Sequence, residues 1–181
     1  MIVRRPVIIA GAVVLLGFAA YTGWEFLQLG RTVPPLASAE VRATSIVVDK
    51  QTRRITLLRN GEALKSYEMS LGGNPVGHKQ QEGDSRTPEG NYAVDSKNPR
   101  SRFHLAMHLS YPNASDLDGA RRRGVSAGGD IMIHGLPNGL GWLSDWHLRR
   151  DWTDGCIAVT NAEIEEIWAM VDIGTGVQIK P

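Results

Sequence analysis

From Thr44 onward the sequence is punctuated, with short apolar runs of β-type residues separated by breaks rich in glycine, proline and asparagine. That punctuation limits the fold more than any other feature, because runs so short and so often interrupted suit strands rather than long helices. "SIVVD" (45–49) and "RRITLLR" (53–59) combine β-branched and alternating apolar residues. Asn60-Gly61, a strong two-residue hairpin signal, separates them from "EALKSYEMSLG" (62–72). The domain is therefore expected to open as a β-meander. "NYAV" (91–94) and "FHLAMHLSY" (103–111) resume strands. In the second, Leu105, Met107, Leu109 and Tyr111 alternate with His104, Ala106, His108 and Ser110, which predicts one core face and one polar face. "DIMIHG" reads as a strand ending in glycine, and "GTGVQIKP" as a turn and a last strand.

Two helices fit between the strands. "SDLDGARRRG" predicts a short one capped by Ser115 and stopped by Gly124. Thr160 and Glu163 have capping-box spacing, and Ile164, Ile167, Trp168 and Val171 form the core stripe of the other. With 20 glycines, 9 prolines and 5 tryptophans, the expectation is a loop-rich β or α+β protein.

Lys and Arg number 20 against 19 Asp and Glu, so no global field draws in nucleic acid, which is not an expected partner. The N-terminus is different. Arg4 and Arg5 precede an uncharged stretch, Pro6 to Trp24, close to the roughly 20 residues that span a bilayer. Residues 1–24 are expected to be an uncleaved anchor, with two arginines holding the N-terminus in the cytoplasm. A cleaved signal is the alternative, since Gly17-Phe18-Ala19 offers small residues at cleavage spacing. Residues 25–43, with Pro34-Pro35, read as a tether, and the folded domain as 44–181. Either way the domain is expected outside the cytoplasm, periplasmic or otherwise extracytoplasmic, with the membrane as a partner through the first segment.

Exported cysteines are usually paired, and Cys156 is the only one in the chain. It is therefore packed and inert, a link to another chain, or a reactive thiol. A thiol attacks a carbonyl only as thiolate and needs a base beside it. Of five histidines, His134 alone stands at the end of an apolar strand before a glycine. His78 and His147 lie in loops, where a solvated imidazole is the plain reading. His104 and His108 are second choices, and together with Cys156 they match no common zinc spacing. Gly155 lets the backbone bend so that amides of residues 154 to 156 can face a developing oxyanion. Asp154 should oppose thiolate formation. The aperiodic stretch 72–90 is expected to be a loop on the substrate side. Trp142, Trp146 and Trp152, with Arg149 and Arg150, lie in an irregular segment that is either core packing or a binding wall.

"IMIHG" (131–135) followed by "TDGCIAV" (153–159) resembles the signature of the L,D-transpeptidase catalytic domain, the YkuD domain. The similarity extends upstream through "GGNPVG", "EGDSRTPEGNY" and "HLSYPN", so it covers roughly residues 44–180. The resemblance implies a β-sandwich-like mixed sheet with a few helices. It implies Cys156 as the acyl-forming nucleophile, His134 as its general base, and Gly135 as the residue whose carbonyl orients the histidine. Thr153 and Gly155 match the rest of the cysteine element. The implied substrate is a peptidoglycan stem tetrapeptide, attacked after meso-diaminopimelate with release of D-Ala and transfer to an amine, with no metal or organic cofactor. Two departures bear on the acceptor: Asp154 stands where many members have His, and Ala158 where many have Arg. The Asp-Gly-Cys-Ile-Ala variant resembles a branch that includes an enzyme cleaving the murein–lipoprotein link, so hydrolysis of a peptide or lipoprotein link is the alternative. A non-catalytic wall-binding domain is the second. Arg86, Tyr111, Trp142 and Trp152 are candidates for lining the peptide groove, or else packing and solvated residues.

Overall fold

The computed structural model describes residues 33–181, of which Pro34–Pro181 form one compact unit. The expected membrane segment, 1–24, lies outside the described residues, as does the start of the expected tether. The end of that tether is fastened to the folded unit. Ala37 and Ala43 donate backbone hydrogen bonds to Ala169 and Met170, and Arg42 forks onto Asp172 at 2.8 and 2.9 Å.

Eight strands form one mixed sheet in the order β3-β2-β1-β8-β4-β5-β6-β7. β1 (Ser45–Asp49), β2 (Arg54–Arg59) and β3 (Glu62–Glu68) are the expected antiparallel meander. Asn60 and Gly61 both have positive φ, 51° and 87°, the requirement of a type I′ turn. β8 (Gly176–Lys180) returns the C-terminus parallel to β1. The long β4 (Gly90–Ser101) pairs β8 with its first residues and β5 (His104–Leu109) with the remainder, so it is shared between two halves of the sheet. Ile46, Val48, Ile55 and Leu57 from one half and Leu105, Met107, Leu109, Ile133 and Ile157 from the other fill a single core. This is the sandwich-like mixed sheet with a few helices that the resemblance implies.

Helix α1 (Ala114–Arg123) is capped by Asn113 rather than Ser115. The Asn113 side chain accepts from the amides of Ser115 and Asp116, and the Asp116 carboxylate returns to the Asn113 amide at 2.9 Å. Asn113 and Ser115 each have an aspartate three positions on, Asp116 and Asp118, and the helix starts from the earlier pair. Gly124 ends the helix in the left-handed region, as expected. Helix α2 (Asn161–Met170) has the expected Thr160/Glu163 capping box and buries Ile164, Ile167 and Trp168.

The half that matters for chemistry is β5-β6-β7. β6 (Met132–His134) runs antiparallel to β5 and parallel to the two-residue β7 (Ile157–Ala158). Registers Ala106↔His134, Met107↔Ile133 and Ile133↔Ile157 put Met107, Ile133 and Ile157 on the core face. Ala106, His134, Ala158 and, two residues before Ala158, Cys156 belong to the opposite face. That face is not simply polar, as the alternation predicts: Ala106 and His134 on it are both buried.

Candidate active site

His134 and Cys156 line one cleft of about 440 Å³, together with Phe103, Asp130, Trp152 and Thr153. The imidazole is 2% exposed and its Nδ1 donates to the Gly135 carbonyl oxygen at 2.6 Å. That bond puts the proton on Nδ1 and leaves the Nε2 lone pair free. Phe103 lies against the ring, 4.5 Å between centres, and Trp152 meets it edge-on at 5.9 Å. Burial in this aromatic setting pushes the imidazole down to about 4; the Gly135 carbonyl acts the other way without reversing it.

The cysteine turn is tied by Thr153. Its Oγ1 accepts from the Gly155 amide at 3.1 Å and donates to the Cys156 carbonyl at 2.7 Å. The Gly155 amide is thus engaged, and of the three expected oxyanion donors those of Asp154 and Cys156 remain. Gly155 has φ of +129°, and a Cβ there would stand 2.6 Å from the Arg86 carbonyl oxygen. The 72–89 loop is therefore packed directly on the turn. It is built around Asp84, whose carboxylate accepts from Lys79 Nζ and from the amides of Gln80, Gln81 and Arg86.

The sulfur is partly exposed and directs its proton to the Asp130 carbonyl oxygen at 3.4 Å. Burial raises the thiol above its ordinary range. A backbone hydrogen bond from Met132 opposes this, while the charges of Asp154 and Asp130 reinforce it and that of Lys79 counters them. A thiol pushed up beside an imidazole pushed down makes a neutral resting pair, not a thiolate–imidazolium pair.

The other expected residues divide. Thr153 and Trp152 are on the cleft. Tyr111 is not: it is buried, stacked edge-on against Tyr92, and its hydroxyl donates to the Ala127 carbonyl. Trp142 is 76% exposed and off the cleft, in the turns of Gly141–Arg149 that break at Ser144. Arg86 presses its backbone on Gly155, while its guanidinium reaches the His78 carbonyl at 3.5 Å. His147 is not a solvated loop residue. It is buried, and its Nδ1 receives the Trp152 indole N–H at 3.4 Å. His78 is likewise held, with Nδ1 accepting from the Glu89 amide and Nε2 3.1 Å from Asp116. His104 and His108, the second choices, are paired with Glu165 at 2.6 Å and Asp95 at 2.7 Å. Sequence reasoning missed Phe103 and Asp130, whose places depend on strand pairing and carry no local signal.

The family model of the L,D-transpeptidase catalytic domain (YkuD) matches residues 43–179. YafK of Escherichia coli (strain K12), a candidate L,D-transpeptidase by name, is 33% identical over 132 residues, covering 70% of this chain and 46% of its own. Among solved structures, the helical cell shape determining protein Pgp2 of Campylobacter jejuni superposes with TM-score 0.57 at 25% identity, over 84% of this chain and 52% of that one. Bd1075 of Bdellovibrio bacteriovorus does so with TM-score 0.52 at 24% identity, over 82% and 52%. The chain spans about half the length of these relatives.

Proposed function

Because this chain belongs to the L,D-transpeptidase catalytic-domain (YkuD) family, we propose that it is a cysteine acyltransferase acting on peptidoglycan stem peptides. The observation that carries the reading is the shared cleft of His134 and Cys156, with Nδ1 of the histidine tied to Gly135 and Nε2 free. Cys156 Sγ attacks the carbonyl carbon of the stem peptide while its proton passes to His134 Nε2. Since both groups rest neutral, transfer and attack go together, and histidine acts as a general base. The thiol first turns from the Asp130 carbonyl toward the imidazole by a change of χ1. The oxyanion is received by the amides of Asp154 and Cys156. Collapse expels the amine, which takes the proton from His134 and leaves a thioester. An acceptor amine then attacks, its proton leaving through the same Nε2, and Sγ–H is restored. No step calls on a metal or organic cofactor.

Hydrolysis of a peptide or lipoprotein link by the same thioester is the second reading, favoured by the acidic Asp154 at the cleft beside the nucleophile. We also propose that residues 1–24 hold the domain at the outer face of the inner membrane, on the support of their sequence alone. A part in setting cell shape, the property named for Pgp2, belongs to the same proposal.

The test is mass spectrometry of the full chain treated with a carbapenem, which should give a one-to-one adduct lost in Cys156→Ala. Incubation with sacculi then separates crosslinked from hydrolysed products. A chain that binds sacculi but takes no adduct is a wall-binding module, and the acyl-enzyme reading fails.

A further inference from the structure

Behind Trp152 lies a second cavity, of about 500 Å³, that the chemistry above does not use. Its walls are Leu136, Leu140, Leu143 and Trp146, and its polar lining is His147, Arg149 and Arg150. Trp152 is its partition from the catalytic cleft, since the indole lines both.

Three observations bear on what the cavity takes. Its apolar walls are open to solvent, with Leu140 40% and Trp146 66% exposed. Arg149 lies over the Trp146 ring, 3.8 Å from its centre, and Arg150 is exposed beside it. The adjoining acid, Asp151, is taken by Arg53 at 2.8 Å, so neither guanidinium is neutralised by its sequence neighbour. Finally, His147 has a polar atom with nothing to bind. The Ser70 hydroxyl donates to the His147 carbonyl at 3.0 Å and stands 3.2 Å from Nδ1, which the Trp152 indole N–H also reaches at 3.4 Å. The other ring nitrogen, Nε2, is buried and finds no partner among the described residues.

We propose that this cavity is a binding pocket for the carboxyl-terminal end of a peptide whose last side chain is apolar. The side chain lies among the leucines and Trp146, and the free carboxylate lies on Arg149 and Arg150. His147 adds a polar ring to the wall, its Nε2 unpaired among the described residues. The site does not depend on the thiol. Because Trp152 is common to both cavities, filling the pocket braces the indole against His134.

The test uses the full chain carrying Cys156→Ala, so that loss or absence of turnover does not enter the result. The probes are N-acetyl-Ala-Leu with a free carboxylate and the same dipeptide as its carboxamide, titrated by calorimetry. The free acid should bind about tenfold tighter than the amide, the scale of a charge-assisted contact. The double variant Arg149→Gln/Arg150→Gln should bind both at the level of the amide, and Leu140→Ser should weaken both alike. Equal binding of acid and amide, retention of the preference in the double variant, or no heat with either probe would overturn the proposal while leaving carbapenem acylation of the parent chain untouched.

Discussion

The hydroxyl of Thr153 donates to the carbonyl oxygen of Cys156 at 2.7 Å while accepting the amide of Gly155, so one side chain closes the turn that presents the thiol. Thr153→Val keeps the shape and removes both bonds, leaving a buried amide and carbonyl without partners. It should cost about 1–3 kcal/mol and slow carbapenem acylation, and Thr153→Ser should restore both. Thermal melts and adduct kinetics check this; unchanged kinetics in the valine variant would mean that the turn holds itself.

Gly155→Ala should be worse than its size suggests. Its φ of +129° is one that residues with a side chain rarely adopt, and the new methyl would lie 2.6 Å from the Arg86 carbonyl oxygen, a backbone atom that cannot swing away. A loss of about 2 kcal/mol or more is expected in denaturant melts, with the 72–89 loop displaced from the cysteine turn.

The imidazole of His134 should govern the acid side of the pH profile. With burial holding it down to about 4, acylation should rise through that pH and not through the ordinary histidine range. His134→Gln should slow acylation by about 100-fold or more and leave no such limb. Stability follows the same group: the unfolded chain binds this proton below about pH 6.5, the folded chain only below about 4, so stability falls as pH drops between them. The loss approaches about 3 kcal/mol and should be absent from the glutamine variant in pH-dependent melts.

The thiol moves in the other direction. Burial, with Asp154 and Asp130 adding to it, places Cys156 above the ordinary thiol range, so alkylation by iodoacetamide should keep rising at pH values where a free cysteine has levelled off. Asp154→Asn should bring that rise to lower pH. A thiol already ionised at neutral pH would contradict the neutral resting pair.

Asp84 should act as the knot of the 72–89 loop. Burial raises its carboxyl, but Lys79 and three backbone amides outweigh that and hold it below the usual carboxylate range. Asp84→Asn leaves the buried Lys79 ammonium unpaired and should cost about 3 kcal/mol at neutral pH. Because the folded carboxyl is depressed, this contribution is complete above the ordinary aspartate value and fades only as pH falls below about 3.9. Melting the variant and parent at pH 7 and pH 3 should show the difference shrinking.

Strand positions, the Asn60-Gly61 hairpin, the Thr160 cap and the α2 stripe were legible in the sequence because each is written in residues a few positions apart, where backbone geometry imposes its own period. The pairing of a thiol element with His134-Gly135 was legible as a pattern of chemistry-bearing residues. What the sequence leaves open is decided by partners far along the chain. His147 reads as a loop histidine until Ser70 and Trp152 close on it from 77 and 5 residues away. Phe103 acquires its place over His134 only when β5 pairs with β6. Tyr111 continues a core alternation, and it is the packing against Tyr92 and Ala127 that removes it from the groove. Local order thus determined which elements exist and where the nucleophile stands; the tertiary fold alone decided which side chains surround it, because burial and titration depend on neighbours that no short window of sequence contains.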